Sequence, residues 1–141
     1  GYKKNLFDIW VAHKPAYVAT VIGADPLDLA KKIEKARGIK APRMIIALSP
    51  CPTGWDYDPK LSVEIGRLAV QTGVWPLKEY IDGKVVHTKI PKKYKSGQRK
   101  PVEEYLKLQS RFKHLFHPQR DGPAIAEIQE RVDAYWDNVE Q

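Results

Sequence analysis

Residues 44–48, Met-Ile-Ile-Ala-Leu, form an unbroken apolar run, followed after Ser49 by a cysteine held between two prolines, Pro50-Cys51-Pro52. With Arg43 the run has the length of one strand. A strand without polar alternation is the kind whose two faces are both covered, as in a parallel sheet. The surrounding residues alternate between helix and strand. Leu6, Ile9 and Trp10 fall on one helical face and Pro15 stops that helix; Tyr17 to Ile22 is β-branched and aromatic, a strand closed by Gly23. Asp25 caps a helix with Pro26 at its first position, Leu29, Ile33 and Ala36 on one face, and Gly38 just past its end. Asp58 and Pro59 open another helix, with Leu61, Ile65 and Leu68 as the inward stripe and Gly73 as the exit. Helix, strand, helix, strand, helix is part of a parallel α/β sheet.

The second half changes character. Trp75 to Ile81 and Lys84 to Thr88 flank Asp82-Gly83, a pair that readily takes the positive φ angles of a type I′ hairpin turn. Residues 89–100 are a polar, basic linker. Pro101 opens a helix aligning Tyr105, Leu108, Phe112 and Leu115, and Pro123 opens another aligning Ile125, Ile128, Val132, Tyr135 and Val139. The expected organisation is an α/β portion with a terminal hairpin over 1–88, then a linker and helical extension over 89–141.

Composition removes several classes. At 141 residues the chain is one domain's worth, able to bury about 68–70% of its unfolded surface without disulfides. Its 29% charged residues and short apolar runs exclude a membrane span, and 43% apolar content is too high for disorder. The first residues, Gly-Tyr-Lys-Lys-Asn-Leu-Phe-Asp, contain no signal-type apolar stretch, so a cytoplasmic location is expected. The net charge of +7 is unevenly distributed: residues 1–83 contribute +3, 84–120 contribute +9 and 121–141 contribute −5. A basic middle stretch and an acidic C-terminal helix suit each other or outside partners. The aromatic-interleaved basic signatures of nucleic-acid binders are missing, so neither nucleic acid nor membrane is expected as a partner.

The chemistry-bearing segment is Ser49 to Trp55, directly after the apolar strand, where open α/β sheets place their ligand sites. Pro50 and Pro52 fix φ on both sides of Cys51 and withhold two amide donors, and Gly54 permits a sharp turn before Trp55. Three readings stand for Cys51: a half-buried small apolar residue, a nucleophile, or one ligand of a cluster completed from elsewhere. One cysteine excludes an internal disulfide and any zinc or iron-sulfur site built from cysteines of this chain alone. Trp55 and Trp75 read as core or interface residues, or as shields of a cofactor region. The run Lys89 to Lys100 reads as a solvated loop or as a dock for an acidic partner. His13 carries no assigned role; His114 suits the carbonyls at a helix end, and Arg67 an ion pair.

Ser49 to Trp55, together with Glu64 to Leu77 (Glu-Ile-Gly-Arg-Leu-Ala-Val-Gln-Thr-Gly-Val-Trp-Pro-Leu), resembles the C-terminal half of the β subunit of 2-oxoacid:ferredoxin oxidoreductases, the pyruvate class most of all. Tyr17-Val18-Ala19-Thr20, Pro101 to Gln109 and Arg111 to Leu115 extend the resemblance, in the same order, over nearly the whole chain. It implies an α/β thiamine diphosphate-binding domain and oxidative decarboxylation of a 2-oxoacid, with acyl transfer to coenzyme A and electrons leaving through [4Fe-4S] clusters to ferredoxin. It further implies Cys51 as fourth [4Fe-4S] ligand, with Pro50, Pro52, Thr53 and Gly54 forming the cluster-side loop. The two prolines, lacking amide donors, would help keep the cluster potential low. The other three ligands, and the residues that hold thiamine diphosphate through Mg2+, are implied ahead of the matched segment. The expected partners are therefore the remainder of the β subunit and α-, γ- and δ-type subunits, with activity expected of the assembly alone. The alternative, from another class, is a small basic interaction module binding RNA or a protein surface, with Cys51 merely packed.

Overall fold

The computed structural model describes residues 4–93 and 96–140. Along the chain the elements are α1 (Leu6–Ala12), β1 (Tyr17–Ile22), α2 (Pro26–Gly38), β2 (Arg43–Leu48), α3 (Pro52–Trp55), α4 (Ser62–Gln71), β3 (Leu77–Ile81), β4 (Lys84–Lys89), α5 (Val102–Leu106) and α6 (Gly122–Glu140). Short 3-10 turns occupy Pro59–Leu61 and Ser110–Leu115. They group into two compact units, Gly1–Ser49 with Pro76–Ile90, and Pro50–Trp75 with Pro91–Gln141.

The first unit is an α/β layer around a four-stranded sheet in the order β2-β1-β3-β4. β1 runs parallel to β2, pairing Tyr17 with Arg43 through Ile22 with Leu48. It runs antiparallel to β3, pairing Tyr17 with Ile81 and Ala19 with Glu79. β1 and β2 are thus parallel, as the helix-strand alternation predicts, and the hairpin strands make the sheet mixed. Asp82 (φ 51°) and Gly83 (φ 76°) make the tight hairpin turn that forces β4 antiparallel to β3. All six residues of β1 are buried, whereas β2 is partly exposed. This corrects the expectation of double burial for the Arg43–Leu48 run: the strand is at the edge of this sheet, and of the two parallel strands only β1 has a neighbour on each side.

Asp25 caps α2 by accepting from the Asp28 amide, with Pro26 next in line, so the expected start chemistry is present. α2 covers Tyr17 and Ala19 through Ala36, flanked by Ile39, Ile45 and Ile81. Two charged groups are buried on this side. The Tyr17 hydroxyl donates to Glu79 Oε2 at 2.7 Å, and Lys35 also pairs with Glu79. Lys32 Nζ donates to the Thr20 carbonyl at 2.9 Å and to Asp28 Oδ2 at 2.6 Å. Burial, reinforced by Glu79, pushes the Tyr17 hydroxyl well above the usual phenol range. Lys78 alternates with Glu79 and so lies on the other face, where its Nζ is 4.3 Å from the ring centroid of buried Phe7 on α1. The Leu6, Ile9 and Trp10 side of α1 is exposed.

The second unit is helical. α4 buries Ile65, Gly66, Leu68 and Ala69, α5 buries Val102, Tyr105 and Leu106, and α6 buries Ile125 and Trp136. Asp58 caps the 3-10 turn Pro59–Leu61, so α4 itself starts at Ser62. The helix expected from Pro101 through Leu115 is interrupted. The Gln109 side chain donates to the Tyr105 carbonyl at 2.6 Å, its backbone is extended, and the chain resumes as a 3-10 turn. After α4, Gly73 takes φ 82° and its carbonyl accepts from Trp136 Nε1 at 3.0 Å.

Candidate functional site

The loop after β2 forms one helical turn, α3, with Cys51 as its N-cap. Pro52 occupies the first helical position, where a missing amide costs nothing and φ is already set. The Trp55 amide donates to the Cys51 carbonyl at 2.9 Å, and the Gly54 amide donates to Cys51 Sγ at 3.3 Å. The side chain is exposed and makes no disulfide. Exposure goes against the reading of Cys51 as a half-buried apolar residue. Gly54 contributes space rather than the sharp turn expected of it. A Cβ there would stand 3.3 Å from Sγ, while the reversal falls on Asp56, left-handed at φ 54°.

The turn is held from a distant stretch of sequence. The Ser110 amide donates to the Asp56 carbonyl at 2.9 Å. The Arg111 guanidinium lies 3.9 Å from the Trp55 ring centroid and 4.6 Å from that of Phe112. Arg111 Nε donates to Gln109 Oε1 at 2.9 Å, and its NH2 reaches the Tyr105 hydroxyl at 3.4 Å. Tyr57 is buried beside this arrangement, its ring 6.4 Å from Trp55. Trp55 stands out in the sequence, whereas Arg111 and Gln109 carry no functional signal there and Tyr105 shows only as part of an apolar helix face. No local pattern links residues so far apart along the chain.

The other candidates are dispersed. Thr53 is exposed beside Gly54, and Pro50 is half-buried. The Trp75 amide donates to the Ala69 carbonyl at 2.8 Å, closing the end of α4, where Arg67 is exposed. His13 stacks obliquely on Trp10, ring centroids 5.8 Å apart, and His114 is exposed on its 3-10 turn. The basic linker is substantially paired: Lys89 with Asp25, Lys93 with Glu140, Lys100 with Glu104 at 3.3 Å, and Arg99 with Glu140 at 2.5 Å and Asp133 at 3.7 Å. Hydrogen bonds from Lys93 and Arg99 hold the Glu140 carboxyl below its ordinary range. Within the run Lys89 to Lys100, Tyr94 and Lys95 lie outside the described residues.

Among the described residues no group of three or more His, Cys, Asp or Glu side chains could hold a metal ion. An iron-sulfur cluster of the four-iron type takes four thiolates. The exposed Sγ, the cradle left open by Gly54 and the amide donor onto sulfur fit one such ligand, and this chain's single cysteine can furnish no more. No described helix is long and apolar enough to cross a membrane.

No family model matches the chain. It is 44% identical over 147 aligned residues to the pyruvate synthase subunit PorB of Pyrococcus furiosus, covering 95% of this chain and 44% of that protein. It is 48% identical to the PorB of Methanothermobacter marburgensis, covering 94% of this chain and 42% of that one. The ketoisovalerate oxidoreductase subunit VorB of Pyrococcus furiosus is 46% identical over 81% of this chain and 36% of its own length. The chain thus spans less than half the length of these relatives.

Proposed function

Because the chain belongs to the 2-oxoacid:ferredoxin oxidoreductase family, among its B subunits, we propose that it forms part of a multi-subunit enzyme that oxidatively decarboxylates a 2-oxoacid. Pyruvate is the favoured substrate, from the names of the PorB relatives, and acyl-CoA and CO2 are the products. In such an assembly thiamine diphosphate with Mg2+ supplies the carbanion chemistry, and [4Fe-4S] centres carry single electrons towards ferredoxin. The rest of the B subunit and the companion subunits complete both cofactor sites, in the cytoplasm.

The observation that supports this role is the placement of Cys51. Its sulfur is exposed at the head of a helical turn, receives the Gly54 amide at 3.3 Å, and stands where Gly54 leaves room for a bulky ligand. Pro52 withholds its own amide from the sulfur and Gly54 supplies one, a donor balance of the kind that tunes a cluster's potential. This chain's residues bind and orient; the reacting atoms lie with the cofactors. The test is Cys51→Ser in the complete assembly purified without oxygen. Expected is the loss of about four irons per copy, one cluster's worth, with thiamine content retained. Full iron and an unchanged cluster spectrum would rule out the ligand role.

A further inference from the structure

The Arg111 guanidinium is more fixed than a surface arginine needs to be. It lies 3.9 Å from the Trp55 ring centroid and 4.6 Å from that of Phe112, with Nε on Gln109 Oε1 at 2.9 Å. Gln109 is itself buried and anchored on the Tyr105 carbonyl at 2.6 Å, so the fork's direction is set by the interior. Among the described residues Arg111 has no carboxylate partner, and the charge is left un-neutralised. The ring beneath it belongs to the last residue of the turn that Cys51 caps, and the neighbouring Ser110 amide holds the Asp56 carbonyl just beyond.

We propose that Arg111 is a positioning residue for Cys51: clamped on Trp55, it fixes the turn that presents the sulfur and keeps a positive charge on that turn. The inference rests on the reading of Cys51 as a cluster ligand. A fixed cation near a cluster favours its reduced, more negative form and so raises the potential. Stacking on Trp55 ties the same cation to the ligand turn, at an attraction typical of exposed guanidinium-aromatic pairs.

The test is a redox titration of the cluster, followed by electron paramagnetic resonance, in the complete assembly. Arg111→Met keeps an unbranched stem over the ring and removes the charge. Expected are full iron content and a negative shift, on the order of a tenfold loss in the reduction equilibrium, or about 59 mV for one electron. Arg111→Lys should recover most of that shift. A wild-type potential in Arg111→Met with iron intact overturns the proposal. Should that variant fail to assemble, Trp55→Leu decides: release of the clamp should speed iron loss to a chelator several-fold, and a wild-type rate overturns it. Cys51→Ser with full iron overturns the ligand reading itself, whatever Arg111 does.

Discussion

Gly73 combines two demands that only glycine meets. Its φ of 82° is left-handed, and a Cβ would stand 2.3 Å from Trp136 Nε1, closer than any real contact. Gly73→Ala is therefore expected to cost on the order of 3 kcal/mol, combining backbone strain with displacement of a fully buried indole. Urea unfolding measures it, and Trp136→Phe should also destabilise, by about 1–3 kcal/mol, through the stranded Gly73 carbonyl and the void left by the smaller ring. The helix exit at Gly73 is legible in the sequence, because glycine after an apolar stripe is a stop signal. Its contact with Trp136 is not. Trp136 falls outside the Ile125, Ile128, Val132, Tyr135 and Val139 pattern, and nothing local links it to a residue so distant in sequence. The Cys51 loop divides in the same way: Pro52 as a helix start and Cys51 as a candidate ligand can be read from type and order, whereas the Arg111 clamp is purely tertiary.

At the scale of elements, the positions of β1, β2, α2 and the hairpin follow from local chemistry: apolar runs, the Asp25-Pro26 cap and the Asp82-Gly83 turn. What local chemistry omits is who the neighbours are. The Arg43–Leu48 run announces a strand that wants cover on both sides, but its place at the sheet edge is decided by pairing partners. Similarly, the apolar stripe from Tyr105 to Leu115 continues through a break that only the Gln109 side chain explains. β4 also carries a testable pH response. Burial, then the positive charges of Lys78 and Lys32, hold the His87 imidazole below its ordinary value of 6.5. The folded state thus binds fewer protons there than the unfolded chain, and stability is present above the unfolded value and lost as pH falls through the folded one. Unfolding measured from about pH 7 down to about pH 5 should show this loss, and His87→Gln should flatten the profile. An unchanged slope in that variant would assign the response to another group.

For the whole molecule, charge is arranged internally before it is offered outside. The basic residues after β4 and the acidic residues of α6 meet through Lys93, Arg99, Asp133 and Glu140, so the excess of +9 over residues 84–120 overstates what a partner would feel. The charge asymmetry is visible in the sequence, and so is the likeness to the oxidoreductase B subunits. The cluster proposed at Cys51 would need four thiolates, of which one cysteine can furnish only one. The placement of β2 has a practical consequence for handling the protein. An apolar border strand presents unsatisfied main-chain groups that will pair with whatever extended chain is nearest, including another copy of itself. Synthesised alone, the chain should self-associate more than when made together with the rest of the proposed B subunit, and sedimentation of the two preparations compares them.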